Sequence, residues 1–281
     1  MKKLFSLLAI AILSSMATMA ITVWEVPSHF IKSPGLISVS VPADYEKGVQ
    51  KDYPVLYLLN GHGGDHRSWP GIINTDSLAT LYRMIIVCPQ GRNSWYWDSP
   101  VDSAMQMESY ITKELVPWID KNYRTRRTPS QRAITGLSMG GHGGLWIGLR
   151  HPELFRNAGA TSGGVDIRPF PKRWNMADFL GPKEKYPERW EDHTVITLIE
   201  KDKVNPKGYG IIFDCGTEDF FYNVNCNLDK AMTAKGIRHT FLTSPGNHNG
   251  KYWRKSIIPQ IKFFPRRPVL LPACARPARR T

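Results

Sequence analysis

A serine suited to nucleophilic catalysis lies at the junction of a strand-like and a helix-like segment. Ser138 is the centre of Gly-Leu-Ser-Met-Gly, residues 136–140, which matches the G-x-S-x-G pattern of a serine held on a sharp strand-to-helix turn. The run Arg132–Thr135 before it is apolar and strand-like, and residues 143–150 after it favour a helix that stops at Pro152. Such a serine needs a base to take its proton and an acid to orient that base.

The base is expected near the end of the chain, because this turn occurs with the order Ser, Asp or Glu, His. His248 lies in Pro-Gly-Asn-His-Asn-Gly, a loop that follows the strand-like run His239–Thr243. We therefore predict that His248 is the base. The other histidines considered lack a matching context or lie too close to the serine; they are His29, His142, His151, His193 and His239.

The acid is expected between the serine and His248, in the acidic loop Thr-Glu-Asp that follows the run Tyr209–Asp214. Asp219 is the preferred residue, because it would fix the imidazole tautomer and stabilise its charged form from the end of a strand. Asp214, inside the strand-like run, and Glu218, next to Asp219, remain the alternatives.

The same chemistry needs backbone N–H groups directed at the oxyanion that develops during acyl transfer. Met139, directly after the serine, is one predicted donor. The glycine-rich loop in residues 57–69 is expected to supply the second, from His62 or else from Gly63. His62 and His66 could instead be zinc ligands at i and i+4, but the glycines disfavour a helix there and the sequence shows no third ligand cluster. No metal or cofactor is therefore expected.

The order of apolar runs predicts the elements that must position these residues. Continuous apolar strands alternate with helix-like segments such as Ser103–Tyr123 and Asn225–Lys235, which indicates a mostly parallel sheet covered on both faces. Parallel strands end at one edge, so Ser138, Asp219 and His248 would meet there. The predicted strands are Val55–Leu59, Met84–Cys88, Arg132–Thr135, Ala158–Thr161, Tyr209–Asp214 and His239–Thr243, preceded by an antiparallel pair, Thr22–Val26 and Leu36–Val41.

Residues 21–264 are predicted to form one α/β domain. The segment Val165–Lys207, rich in Pro, Trp and charge, is interpreted as a cap-like insertion over the carboxyl ends of the strands. Residues 1–20 have the charged, apolar, small-residue order of a secretory signal peptide; a retained membrane anchor is the less favoured alternative, because the apolar run is short. Residues 265–281 form a Pro- and Arg-rich tail that we expect to be disordered.

The net charge of +13 over 281 residues does not indicate a nucleic-acid-binding protein. Two of the excess positive charges lie in residues 1–20 and five lie in residues 265–281, so only six remain between them, and these are spread along the chain. The expected partner is a small-molecule or polysaccharide ester, without nucleic acid and without a membrane once the signal peptide is removed.

The four cysteines are too few for a disulfide scaffold in a chain of this length. Cys88 and Cys215 fall in apolar runs and are expected to be buried free thiols. Cys215 and Cys226 are the only nearby pair, and the sequence leaves open whether they are joined.

Aromatic residues after two of the strands suggest a binding wall for an aryl acid or a sugar ring. Trp69, Trp95, Tyr96 and Trp97 are the candidates, with Trp69, Trp95 and Trp97 predicted to contact substrate. The alternative is that two of the four belong to the core.

Six segments stand out across about residues 25–264, namely YLLNGHGGDHRSW, NSWYWDSP, ELVPWIDKNYRT, GLSMGGHGG, DCGTEDFF and GNHNGKYW. Together, and in this order, they resemble the esterase D family of α/β-hydrolases, which includes S-formylglutathione hydrolases, secreted feruloyl and acetyl esterases, and mycolyltransferases. Asn60 differs from many relatives, which carry histidine there, and we expect this change to leave the backbone donor in place.

The resemblance implies an α/β-hydrolase fold and an acyl-enzyme mechanism, with Ser138, Asp219 and His248 as the triad and His62 and Met139 as oxyanion donors. It favours a secreted enzyme that removes feruloyl or acetyl groups from plant polysaccharide or cleaves short-chain esters. An acyltransferase that uses the same acyl-serine and a catalytically inactive carbohydrate-binding relative are the alternatives.

Overall fold

Eight strands form a single sheet in the order β1-β2-β4-β3-β5-β6-β7-β8 in the computed structural model, which describes residues 21–264. β2 is antiparallel to both β1 and β4, and the remaining neighbours are parallel. The predicted parallel sheet with an antiparallel opening is therefore confirmed, whereas the predicted signal peptide and tail lie outside the described residues. The strands are β1 Thr22–Val26, β2 Gly35–Ser40, β3 Val55–Leu59, β4 Ile85–Pro89, β5 Arg132–Gly136, β6 Asn157–Thr161, β7 Gly210–Gly216 and β8 Thr240–Ser244.

The central strand β3 shows why apolar residues run continuously along the chain. Its five residues are all buried, and successive side chains point to opposite faces of the sheet. Tyr57 and Leu59 join one buried apolar cluster, whereas Leu56 and Leu58 join another on the other face. Each face is therefore covered, as expected of a parallel sheet.

Helices supply the cover on both faces. The apolar cluster that contains Tyr57 takes side chains from α5 and α9, and the opposite cluster takes them from α2 and α10. Among residues 21–264, no helix combines the length and apolar character needed to cross a bilayer. The helices are α1 Ser68–Ile72, α2 Thr75–Tyr82, α3 Met107–Ser109 continued by a π-helical segment Tyr110–Leu115, α4 Val116–Asn122, α5 Met139–Arg150, α6 Met176–Leu180, α7 Pro187–Asp192, α8 Val195–Glu200, α9 Tyr222–Ala234 and α10 Gly250–Phe263.

The segment predicted as an insertion, residues 165–207, connects the adjacent strands β6 and β7 and contains α6, α7 and α8. Arg168 fixes its path, since the guanidinium contacts the carboxylates of Asp166 at 2.8 Å and Glu191 at 3.0 Å. Trp190 is fully buried, and its indole N–H donates to the Gly181 carbonyl at 2.9 Å. The segment is thus held by contacts among its own residues.

The cysteines of the described residues are free thiols. Cys88 and Cys215 are buried, which confirms the sequence prediction, and Cys226 is partly exposed without a bond to Cys215. Burial raises the pKa of both buried thiols far above its usual range, so these two groups are poor nucleophiles.

Glycines let α5 lie directly on the sheet. A Cβ added at Gly140 would overlap the Leu59 carbonyl, and one added at Gly148 would lie 2.6 Å from the Ala158 Cβ. A Cβ added at Gly144, one helical turn from both Gly140 and Gly148, would lie 2.8 Å from the Thr135 Cα. Because residues at i, i+4 and i+8 share one helix face, these three glycines form a strip without side chains against the strands.

We predict that Gly140→Ala lowers the free energy of unfolding by about 2 kcal/mol or more, because the new methyl group would push α5 away from strand backbone. Gly71→Ala in α1 is the matched control, since its Cβ would meet no atom within 4 Å and alanine favours a helix by about 1 kcal/mol. Urea unfolding of the two variants measures the difference, and equal stabilities would contradict the close contact of α5 with the sheet.

Candidate active site

Ser138 occupies the strained turn between β5 and α5. Its φ of +57° and ψ of −117° lie outside the regions that residues with a side chain normally adopt. The preceding Gly136 has no room for a side chain, because an added Cβ would lie 2.5 Å from the Leu59 carbonyl oxygen. The tight contact around the turn holds the serine at the carboxyl end of the sheet, directly before the α5 N-terminus.

Three side chains from three strand ends meet at this edge. The His248 Nε2 lies 3.0 Å from the Ser138 Oγ, and the His248 Nδ1 lies 2.8 Å from the Asp219 Oδ2. Asp219 also accepts a hydrogen bond from the Phe221 N–H at 2.9 Å, and its side chain is fully buried. The arrangement favours the tautomer with hydrogen on Nδ1, which leaves the Nε2 lone pair facing the serine hydroxyl.

Aromatic rings enclose the His248 imidazole. Phe220 packs against the imidazole with ring centres 4.3 Å apart, and Trp253 meets it edge-on at 4.9 Å. Phe220 is half exposed and also stacks on Trp174, with centres 5.7 Å apart. These contacts restrict the imidazole to the orientation that reaches Ser138, and they leave an aromatic surface next to it.

The loop after β3 runs beside the serine. A Cβ added at Gly61 would lie 3.3 Å from the Ser138 Cβ and 2.6 Å from the Leu137 Cδ1, so the backbone of Gly61 lies close against the serine. The Gly64 N–H donates to the Gly61 carbonyl at 3.1 Å, and Gly63 has a φ of +77°, which together make a tight turn centred on His62.

Two unpaired N–H groups are therefore close to the serine. In the described part of the chain, the His62 N–H has no hydrogen-bond acceptor. Met139 is the first residue of α5, where helical N–H groups lack partners within the helix. These are the two N–H groups that the sequence predicts as oxyanion donors.

The three tryptophans predicted to contact substrate lie in the core, and that prediction is wrong. Trp69, Trp95 and Trp97 are at most 1% exposed. The Trp69 indole N–H donates to the Leu59 carbonyl at 2.8 Å, and the Trp95 and Trp97 rings stack on each other. A substrate that enters from solvent cannot touch them, because the chain already covers them.

The rival acids occupy different environments. Asp214 is buried in β7, where its two oxygens accept hydrogen bonds from Thr161 and Gln260, each at 2.6 Å. Burial raises the pKa of Asp214 to about 6, against the opposing effect of these hydrogen bonds. Glu218 is exposed. Neither carboxylate contacts His248.

His142 lies four residues after the serine and turns inward beneath it. Its Nε2 accepts from the Trp97 indole at 2.8 Å, and its Nδ1 lies 3.2 Å from the Gly164 carbonyl. Burial lowers the pKa of His142 to about 3, so the ring is neutral at physiological pH. Since the Gly164 N–H donates to the Ser138 carbonyl at 3.2 Å, His142 supports the turn from below.

The remaining histidines have other partners. His66 contacts the Ser38 hydroxyl at 2.8 Å, and burial lowers the pKa of both His66 and His62. Within residues 21–264, no three side chains of His, Cys, Asp or Glu are grouped as metal ligands would be. The histidines paired with carboxylates or a backbone carbonyl are His29 with Glu114, His151 with Glu108 and Glu153, His193 with the Arg189 carbonyl, and His239 with Asp229.

Sequence reasoning missed four residues near the serine. Phe220 directly follows Asp219, which was a usable signal because neighbouring loop residues share an edge of the sheet. Trp174, in the predicted insertion, and Trp253, in α10, carried no local signal. Asn60 was noted only as a departure from relatives, yet it is 1% exposed and hydrogen-bonded to the loop beside Ser138.

Comparison with known proteins identifies related chains. The esterase family model, described as "Putative esterase", matches residues 28–264. An endo-1,4-beta-xylanase/feruloyl esterase of Xylanibacter ruminicola is 30% identical over 75% of this chain. An acetyl esterase of Caldicellulosiruptor saccharolyticus is 26% identical, and the match covers 84% of this chain and 95% of that enzyme.

The match to the Xylanibacter enzyme covers only 26% of that protein, and a match to an esterase of Mycobacterium tuberculosis covers 30% of it, so this chain spans less than a third of these relatives. A solved structure of a ferulic acid esterase superposes with a TM-score of 0.75 at 26% identity, covering 87% of this chain and 96% of the other. The α/β-hydrolase fold predicted from the sequence is thereby confirmed.

Proposed function

Because this chain belongs to the esterase family, we propose that it hydrolyses carboxylic esters through a covalent acyl-serine. Ser138 is the nucleophile, His248 the general base and acid, and Asp219 the carboxylate that orients the imidazole. The observation that carries the proposal is the continuous path of contacts from Asp219 Oδ2 to His248 Nδ1 and from His248 Nε2 to Ser138 Oγ.

In the first half of the reaction, Ser138 Oγ attacks the acyl carbon while His248 Nε2 takes the hydroxyl proton. The negative charge moves to the former carbonyl oxygen, where the N–H groups of His62 and Met139 donate hydrogen bonds. The bond to the alcohol oxygen then breaks, and His248 returns its proton to that oxygen. In the second half, water replaces the alcohol, and the same steps release the carboxylic acid and restore Ser138.

Esters with an aromatic or sugar ring are the proposed substrates, namely feruloyl or acetyl esters of plant polysaccharide. The names of related enzymes support this class. The aromatic surface formed by Phe220 and Trp174 supports it physically, because flat rings pack well on exposed aromatic faces. We also propose that the enzyme acts outside the cytosol, on the strength of the signal-like residues 1–20.

Ser138→Ala is expected to lower kcat for p-nitrophenyl acetate by about 10⁴-fold or more, because no other group can form the acyl-enzyme. Ser130→Ala, at the opposite end of β5, removes an exposed hydroxyl and is the matched control. Stopped-flow nitrophenol release and the mass of the trapped acyl-enzyme are the measurements. Undiminished turnover by a folded Ser138→Ala enzyme would rule out this nucleophile. Faster nitrophenol release by the wild-type enzyme with added alcohol would indicate acyl transfer.

Asp219→Asn is expected to lower kcat by about 10³-fold or more, because an amide can stabilise the wrong imidazole tautomer. Glu218→Gln makes the same chemical change at the adjacent exposed position and should retain full activity. Steady-state kinetics on p-nitrophenyl acetate, with circular dichroism to verify folding, compare the two. An equal loss in both variants would argue against a specific role for Asp219.

Trp174→Ala is expected to raise KM for methyl ferulate by about fivefold, because an aromatic contact contributes about 1 kcal/mol. Methyl acetate, which has the same alcohol and a small acyl group, should show little change. Leu81→Ala removes an exposed apolar side chain from α2 and serves as the control. The same change in KM for both methyl esters would place the ferulate ring elsewhere.

A further inference from the structure

We propose that Asn60 is a positioning residue for the oxyanion hole, where its side-chain amide fixes the peptide that carries the His62 N–H. The proposal rests on the ester-hydrolase function above and concerns how that site is held in a reactive geometry. Asn60 follows β3 directly, and its side chain lies beneath the loop rather than in contact with substrate.

The Asn60 amide joins the loop after β3 to the loop after β4. Its Nδ2 donates to the Gly61 carbonyl at 2.8 Å. Its Oδ1 accepts from the Gly91 N–H at 2.8 Å, in the loop after β4, and from the Tyr96 hydroxyl at 3.1 Å. Both ends of the amide are thus used, which fixes its orientation.

The hydrogen bond to Gly61 controls the direction of the next N–H. In a planar trans peptide, the carbonyl and the following N–H point in opposite directions. The Gly61 carbonyl is held by Asn60 Nδ2 and by the Gly64 N–H, so the His62 N–H must leave on the other side. Because the Gly61 backbone lies against Ser138, an N–H fixed in this way is available to the oxyanion.

Tyr96 connects the Asn60 amide to α5, the helix that follows the serine. Its hydroxyl is 3.1 Å from both the backbone and the side-chain oxygen of Asn60. A Cβ added at Gly143 of α5 would overlap the Tyr96 ring, so the ring lies directly on that helix. The Tyr96 side chain therefore contacts both the loop that carries the His62 N–H and the helix that carries the Met139 N–H.

An asparagine suits this position because it donates and accepts at once and has no charge at any pH. Alanine would remove both interactions. Aspartate would put a carboxylate oxygen against the Gly61 carbonyl, which would favour rotation of the Gly61–His62 peptide. Histidine also donates and accepts when neutral, but its ionisation near pH 6.5 would change the interaction with Gly61.

The test compares Asn60→Ala and Asn60→Asp with the wild-type enzyme. We expect kcat for p-nitrophenyl acetate to fall about 10- to 100-fold with KM changed less than about twofold, because the loss is confined to the transition state. Affinity for a phenylboronic acid, which forms a tetrahedral adduct with the serine, should fall by a similar factor. The inhibition constant of acetate, a ground-state product, should not change.

Asn157→Ala is the matched control. The Asn157 amide supports the Ser130 and Arg132 carbonyls at the opposite end of the sheet, so its loss should lower Tm and leave kcat unchanged. Tyr96→Phe keeps Asn60 and removes one of its partners, and a smaller fall in kcat is expected. If neither Asn60 variant folds, Tyr96→Phe tests the proposal in their place. Unchanged kcat and boronate affinity in Tyr96→Phe would then overturn the proposal.

Folded Asn60 variants with wild-type kcat and boronate affinity would also overturn the positioning role, and the ester-hydrolase function would stand on the Ser138→Ala result. A parallel weakening of boronate and acetate binding would assign Asn60 a purely structural role. If the wild-type enzyme neither hydrolyses p-nitrophenyl acetate nor binds the boronate, both this inference and the proposed function fail.

Discussion

The close contact between α5 and the backbone of β3 and β5 is the constraint on which the site depends. Ser138 adopts a φ of +57°, and a conformation of this kind costs about 1–3 kcal/mol. The turn persists because the surrounding backbone leaves the chain no other path, with Gly136 and Gly140 against the Leu59 carbonyl. The same contact brings Gly61 to the serine. One packing arrangement consequently sets the positions of the proposed nucleophile and of the proposed oxyanion loop.

Buried polar groups extend this constraint to the histidine loop. Gln260 of α10 donates to the Ala160 carbonyl at 2.8 Å and to Asp214 at 2.6 Å, and it accepts from Thr135 at 2.6 Å. Helix α10, which begins two residues after His248, is thus bonded to β5, β6 and β7. Asp214 has the chemistry of a catalytic acid, but its two oxygens bind Thr161 of β6 and Gln260 of α10. These contacts explain why a carboxylate five residues from Asp219 is unavailable to the imidazole.

The sheet and the convergence of Ser138, Asp219 and His248 could be predicted from the sequence, because parallel strands end at a common edge whatever their loops contain. The burial of the aromatic residues could not be predicted in this way. Trp95 and Trp97 follow a strand in the same way as Asp219 does, yet they turn inward, where His142 and Trp146 complete a packed aromatic layer. Side-chain direction within a loop depends on contacts with distant segments, and local sequence does not encode these contacts.

Phe220 links the orientation of the imidazole to the surface proposed for substrate. Phe220 is adjacent to Asp219 in the chain. Its half-exposed ring packs on His248 and also stacks on Trp174. Because Phe220 belongs to both, a substitution there would alter the proposed substrate surface and the packing of the proposed base together. Asn60, whose amide contacts Gly61, Gly91 and Tyr96, lies outside this coupling and would hold the proposed oxyanion donor in the same geometry for any ester.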